Sequence, residues 1–158
     1  MRHEFGELLF EHAKKNKDIV LCTFDMGYGL WDKFRDELPD QFFNLGISEQ
    51  AGTGVAVGLA LSGKIHFCYS ITPFLLWRPA EVIRLYINHE QLPIKLIASG
   101  RNKDYETDGF SHDATDAKQF LDQFKNITQY WPEEKEELPN IIEEIINNDK
   151  PCFVSLRR

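Results

Sequence analysis

Apolar residues come along this chain in short dense runs, separated by longer stretches in which apolar and polar positions alternate with a helical period. Residues 19–24, Ile-Val-Leu-Cys-Thr-Phe, form an unbroken apolar run, the pattern of a parallel strand covered on both faces. Similar runs at 65–69, 94–98 and 151–156, with shorter ones at 42–44 and 127–130, predict six strands. Residues 2–16 place Phe5, Leu8, Leu9 and His12 on one helical face, and residues 30–37 predict a short helix stopped by Pro39. Further helices are predicted over 49–61, over a segment running on to Asn88, and over 114–125 and 134–147, the last acidic and amphipathic. Strands alternating with helices throughout indicate an α/β three-layer sandwich: a mostly parallel six-stranded sheet, helices on both faces, right-handed crossovers. Residues 1–158 read as one domain without repeats or low-complexity segments.

Composition narrows the function classes. The chain has 158 residues, enough to bury a proper core, with 42% hydrophobic and 27% charged residues. A net charge of −7, with no basic cluster beyond Lys14-Lys15, argues against nucleic acid as a main partner. No apolar run approaches the ~20 residues of a membrane span, and the first seven residues carry no apolar signal core. Cys22, Cys68 and Cys152 lack metal-ligand spacing and sit inside strand-like runs, which reads as buried, reduced thiols in a cytoplasmic protein.

The most informative stretch is Phe42-Phe43-Asn44-Leu45-Gly46-Ile47-Ser48-Glu49-Gln50 and the helix after it, which is built from Gly, Ala and small aliphatics. Gly52, Gly54 and Gly58 each cost about 1 kcal/mol relative to Ala in a helix, and close approach of another backbone is the usual compensation. Ser48 is placed to cap that helix, and Glu49 has little polar company in its sequence neighbourhood. Two readings of Glu49 stay open. It is a first-turn acid facing its own helix dipole, or it lies at an interface where apolar surroundings raise its pKa and let it share a proton with a ligand nitrogen. Asp25, in the glycine-rich break after the first strand, is a turn residue or part of a site at the strand's carboxyl end. Phe74 and Trp77, three residues apart, suit a helical core face as well as a ligand. Residues 99–111 form a long loop without apolar period; Arg101, Asp108, Gly109, Ser111 and His112 lie in it or at its edge. His66 reads as a strand residue, and Arg157-Arg158 as a solvated tail.

Gly46-Ile47-Ser48-Glu49-Gln50, with a strand before and a small-residue helix after, resembles the pyrimidine-binding domain of transketolases and deoxyxylulose phosphate synthases. The string from Phe74 through Arg78 and Glu81 to Ile83-Arg84 resembles that family's Phe-x-x-x-Arg-x-x-Glu-x-Ile-Arg signature, and Asp108-Gly109-Phe110-Ser111-His112 its Asp-Gly-x-Thr/Ser-His signature. The resemblance covers nearly the whole chain. It implies thiamine diphosphate as cofactor, with Glu49 hydrogen-bonding N1′ of the aminopyrimidine and Phe74 stacking on that ring. Asp25, Ile47, Ile71 and Trp77 are then further cofactor contacts. Arg78, Arg101, Asp108, His112 and Arg157 face the substrate, with His112 also catalytic. Ala80 replaces a common aromatic residue, and Gly100 stands where transketolases proper carry a second His, whereas Arg101 fits the synthase pattern.

The superfamily's diphosphate and Mg²⁺ site is marked by Gly-Asp-Gly with a later Asn. The only Asp-Gly here is Asp108-Gly109, preceded by Thr107 and belonging to the other signature. No metal ligand is therefore assigned to this chain, and neither a diphosphate-binding nor a carboxy-terminal domain is expected in it. The resemblance implies one subunit of a split transketolase-like enzyme acting on sugars or sugar phosphates. Its partner is a separate diphosphate-binding chain holding Mg²⁺, in an α2β2 heterotetramer with a contact between pyrimidine-binding domains. The alternatives are a subunit of a decarboxylating synthase and a non-catalytic module of the same fold.

Overall fold

The computed structural model describes residues 1–158. Six strands form one sheet: β1 (Ile19–Thr23), β2 (Phe42–Asn44), β3 (Ile65–Ile71), β4 (Ile94–Ser99), β5 (Thr128–Tyr130) and β6 (Cys152–Leu156). Their order is β2-β1-β3-β4-β6-β5, and every pairing is parallel. The order reverses beside β1, so the carboxyl ends of β1 and β3 bound the kind of crevice in which open α/β sheets place ligands.

The apolar runs are unbroken because both faces of the sheet are covered. Ile19, Leu21, Phe67, Tyr69, Ile97, Val154 and Leu156 point to one side. There they pack with α1 (Arg2–Lys15), Trp31 and Phe34 around α2 (Asp32–Glu37), and Leu138, Ile142 and Ile145 of α7 (Leu138–Ile146). Cys68, Leu96, Ala98 and Phe153 point to the other side. There they meet α3 (Glu49–Leu61), α4 (Thr72–Trp77) and α5 (Ala80–Val82), which runs on as a π-helical segment, Ile83–His89, and then α6 (Ala117–Leu121). Three layers result, as expected.

Several elements are shorter than their periodicity suggests. The expected helix at 114–125 shrinks to α6, and that at 134–147 starts as a 3₁₀ turn, Lys135–Glu137, before α7. Pro79 divides the expected helix through Asn88 into α4 and α5, since proline offers no N–H to carry α4 onward. The long loop contains two 3₁₀ turns, Glu106–Asp108 and Phe110–His112, and is held by a bridge between Asn102 and Ala114. All three cysteines are free and buried, with burial raising Cys22 and Cys152 to about 12. No helix is long and apolar enough to cross a membrane.

Candidate active site

The carboxyl ends of β1 and β2 are tied together by one side chain. Asn44 Oδ1 accepts from the backbone N–H of Asp25 at 2.9 Å and of Gly46 at 3.1 Å. Gly46 then turns the chain with φ 68°, a left-handed conformation that favours glycine, and delivers Glu49 as the first residue of α3. Ser48 occupies the cap position without acting as a cap: its hydroxyl donates to the Leu45 carbonyl at 2.7 Å. Within the first turns of α3, the buried Thr53 hydroxyl donates to the Glu49 carbonyl at 2.7 Å.

Glu49 is only 2% exposed, and it is not alone. Ser70, near the end of β3, donates to Oε1 at 3.0 Å, and Arg78, just past α4, donates from Nη1 to Oε2 at 2.6 Å. The apolar surroundings expected from sequence are thus corrected. The residues that neutralise Glu49 come from other elements, and within this chain it is a charge-paired, hydrogen-bonded carboxylate. Arg78 also lies flat against its neighbour, with Cζ 4.0 Å from the centroid of the half-buried Phe74 ring.

Around this pair the structure gathers most of the expected residues. Ile47, Glu49 and Arg78 line an open cleft of about 560 Å³. Phe74, Trp77 and Arg78 line a neighbouring recess of about 230 Å³ together with Phe110. His112 stands edge-on to Phe74, with ring centroids 4.9 Å apart, and its Nδ1 is 3.0 Å from Ser111 Oγ. Trp77 rests against Phe120 at 4.9 Å, and Ile71 is buried at the end of β3. Asp108 is exposed in the first 3₁₀ turn.

Three other expected residues lie apart from the cleft. Arg101 is 5% exposed and its guanidinium makes four hydrogen bonds within the chain. Nε donates to Ser155 Oγ, Nη1 to Glu133 Oε1 at 2.9 Å, and Nη2 to the carbonyls of Pro132 and Ser155. Arg157 donates to the other Glu133 oxygen at 2.6 Å, so the two arginines share one carboxylate. The Arg157 hydrogen bond is the largest cause holding the Glu133 carboxyl below the usual range. Asp25, with φ 58°, lines a recess of about 300 Å³ on the α1 side together with Arg2, His3, Tyr105 and Arg158.

Sequence reasoning missed Ser70 and Arg2. Nothing in local spacing marks Ser70, whose partner is 21 residues away. Arg2 donates to the Tyr105 hydroxyl at 3.1 Å, which in turn lies 2.8 Å from Ser99 Oγ, and only the fold brings these together. No group of three or more His, Cys, Asp or Glu side chains is placed to hold a metal ion.

Among known proteins, this chain is similar to transketolases and to 1-deoxy-D-xylulose-5-phosphate synthases. The family model described as "Transketolase, pyrimidine binding domain" matches residues 1–158. A putative transketolase C-terminal section from Methanocaldococcus jannaschii is 31% identical over 100% of this chain and 50% of its own length. The 6-deoxy-6-sulfo-D-fructose transketolase subunit SqwH of Clostridium sp. strain MSTE9 is 28% identical over 100% of this chain and 49% of its own. A solved structure described as a split gene transketolase, inactive beta4 tetramer, superposes with a TM-score of 0.85 at 28% identity, covering 99% of this chain and 50% of that one. The chain therefore spans about half the length of these relatives. With a family match running from end to end and the Glu49, Phe74 and His112 signatures brought to one crevice, this chain belongs to the transketolase pyrimidine-binding domain family.

Proposed function

We propose that this chain is the pyrimidine-binding part of a split, thiamine diphosphate-dependent, transketolase-like enzyme that moves a two-carbon ketol unit between sugars or sugar phosphates. One observation carries the reading: a buried carboxylate, Glu49, beside the half-buried ring of Phe74, with both contacted by one flat nitrogen-bearing cation. That arrangement fits an aminopyrimidine, which needs an aromatic face to stack on and an acceptor for a ring nitrogen's proton.

When bound, the cofactor supplies the carbanion chemistry; the residues of this chain orient it and place a proton. Glu49 accepts a hydrogen bond at the pyrimidine edge and holds a proton there, and Ser70 fixes the second oxygen so that the carboxylate cannot rotate away. Phe74 sets the plane of the ring. In this reading His112, whose edge-on contact with Phe74 supports a position beside the ring, meets the oxygen of a reacting carbonyl, and the exposed Asp108 meets a substrate hydroxyl. Arg2 and Arg158 add positive charge at the recess shared with Asp25, where the anionic end of a substrate is met. Arg101 and Arg157 take a substrate phosphate only if Glu133 yields.

The diphosphate and its Mg²⁺ belong, in this proposal, to a separate subunit in an α2β2 assembly whose active sites lie between unlike chains. A site divided in this way binds weakly in either half, because affinity comes from both ends engaged together. Calorimetry on the chain alone is expected to show little thiamine diphosphate binding, and tight binding without a partner refutes the division. In the complete complex, Glu49→Gln is expected to suppress both ketol transfer and exchange of the cofactor's C2 proton, followed by NMR, while assembly is unchanged. Unaltered exchange removes Glu49 from this role.

A further inference from the structure

Arg78 makes two contacts at once: Nη1 lies 2.6 Å from Glu49 Oε2, and Cζ lies 4.0 Å from the Phe74 ring centroid. These are the two contacts assigned above to the aminopyrimidine, a stack on Phe74 and a hydrogen bond to Glu49. They are not available to two groups together. Glu49 is 2% exposed, its other oxygen accepts from Ser70, and a group within 4 Å of a ring face excludes a second one there. A guanidinium is planar, delocalised and rich in N–H donors, which makes it the side chain best able to imitate a protonated or amino-substituted heterocycle.

On the reading of the site given above, we propose that Arg78 is a placeholder: in the unliganded chain its guanidinium fills the pyrimidine position, and it must swing out for the cofactor ring to enter. The structure supplies both ends of that swing. Arg78 lines the Glu49 cleft and also the neighbouring recess, whose lining includes two carboxylates, Asp113 and Asp116, to which the charge would move. Its side chain is 39% exposed and so is not locked by packing. It also sits at the joint between α4 and Pro79, where no helix continues across it. Leaving Glu49 buried and unpaired is costly, so the placeholder keeps the chain intact before assembly and makes ring entry an exchange of partners.

The probe is thiamine, which carries the aminopyrimidine without the diphosphate, titrated into the full chain. NMR follows the Phe74 ring and the Arg78 guanidinium signals. In wild type, thiamine is expected to move both sets together. In Arg78→Ala the dissociation constant is expected to fall about tenfold or more, the scale of one charged hydrogen bond. Arg78→Lys, which keeps the charge and loses the flat stack, falls between. Asp113→Asn with Asp116→Asn is expected to weaken thiamine binding by removing the second resting place. Thermal unfolding checks each variant. Should Arg78→Ala fail to fold, Arg78→Gln, which keeps a neutral donor for Glu49 and loses the charge, is expected to show a smaller gain in the same direction. If thiamine shifts Phe74 but binds the Arg78 variants no more tightly than wild type, or leaves the Arg78 signals still, the placeholder is wrong and the site reading stands. If thiamine, taken to the millimolar concentrations at which the weak binding of half a site is still visible by NMR, shifts Phe74 in none of the proteins, the placeholder and the assignment of Phe74 to the pyrimidine are both wrong, whereas the division of the site between subunits is untouched.

Discussion

Helix α3 carries three glycines, and the structure separates them. A methyl group at Gly52 would lie 2.2 Å from Phe24 Cε1 and 2.9 Å from Leu45 Cδ1, whereas Gly54 and Gly58 have nothing within 4 Å. Phe24 is buried in the core on this face and cannot move aside cheaply. Gly52→Ala therefore sets a helix-propensity gain of about 1 kcal/mol against an overpacking cost of about 1–3 kcal/mol. The contact is so short that the cost lies at the upper end, and a net loss of about 1–2 kcal/mol is expected. Gly54→Ala and Gly58→Ala meet no such cost within the chain and are each expected to stabilise it by up to about 1 kcal/mol. For a domain of this size that corresponds to a rise of about 2–4 °C in Tm, measurable by circular dichroism. Within a multi-subunit assembly the sign should invert. Exposed Ala51, Gly54, Val55 and Gly58 form one stripe of α3, and if another helix packs there, the added methyl groups push it away. The assay is paired: thermal unfolding of the isolated chain, and sedimentation of the assembled complex. If Gly54→Ala destabilises the isolated chain as Gly52→Ala does, the separation is refuted. If it stabilises the chain and leaves assembly untouched, α3 is not the contact between pyrimidine-binding domains.

Two further outcomes follow from buried polar groups. His66 is fully buried in β3 with neither ring nitrogen hydrogen-bonded, and burial lowers its pKa from 6.5 to about 4. A folded-state pKa below the unfolded one gives stability that is complete above about pH 6.5 and lost as pH falls towards 4. The loss is about 3 kcal/mol at 1.36 kcal/mol per unit. Urea unfolding of wild type and His66→Leu at several pH values should show the variant missing that part of the acid sensitivity, and identical pH profiles would exclude it. Lys95 is buried in β4, and Nζ donates to the Asn148 carbonyl, Asn148 Oδ1 and the Lys150 carbonyl at 2.9, 3.1 and 2.6 Å. Lys95→Met strands these acceptors and is expected to cost about 2–3 kcal/mol in urea unfolding; a change below about 0.5 kcal/mol would show that water replaces the ammonium freely.

How far the sequence can be read depends on how local each constraint is. The strands were legible because burial on both faces leaves unbroken apolar runs, and Leu21 and Cys68 need only their own neighbours to show it. Glu49, Phe74 and His112 were legible as members of spaced signatures, and the fold brings Phe74 and His112 ring to ring across 38 residues. What escaped is the polar pairing between distant elements. Glu49 looked isolated because residues 42–61 hold no cation, yet β3 delivers Ser70 and the end of α4 delivers Arg78 to its two oxygens. Arg101 and Arg157 looked like two free cations, but both find Glu133. The same physics governs both errors. A buried charge must be paired, and its partner comes from whatever the topology brings near rather than from adjacent sequence. For a site that has to take in a ligand, this requirement has a chemical consequence. If Glu49 takes the cofactor as proposed, its burial beforehand calls for a partner from this chain, and the one the structure supplies is the Arg78 guanidinium, flat enough to leave the shape of the site intact.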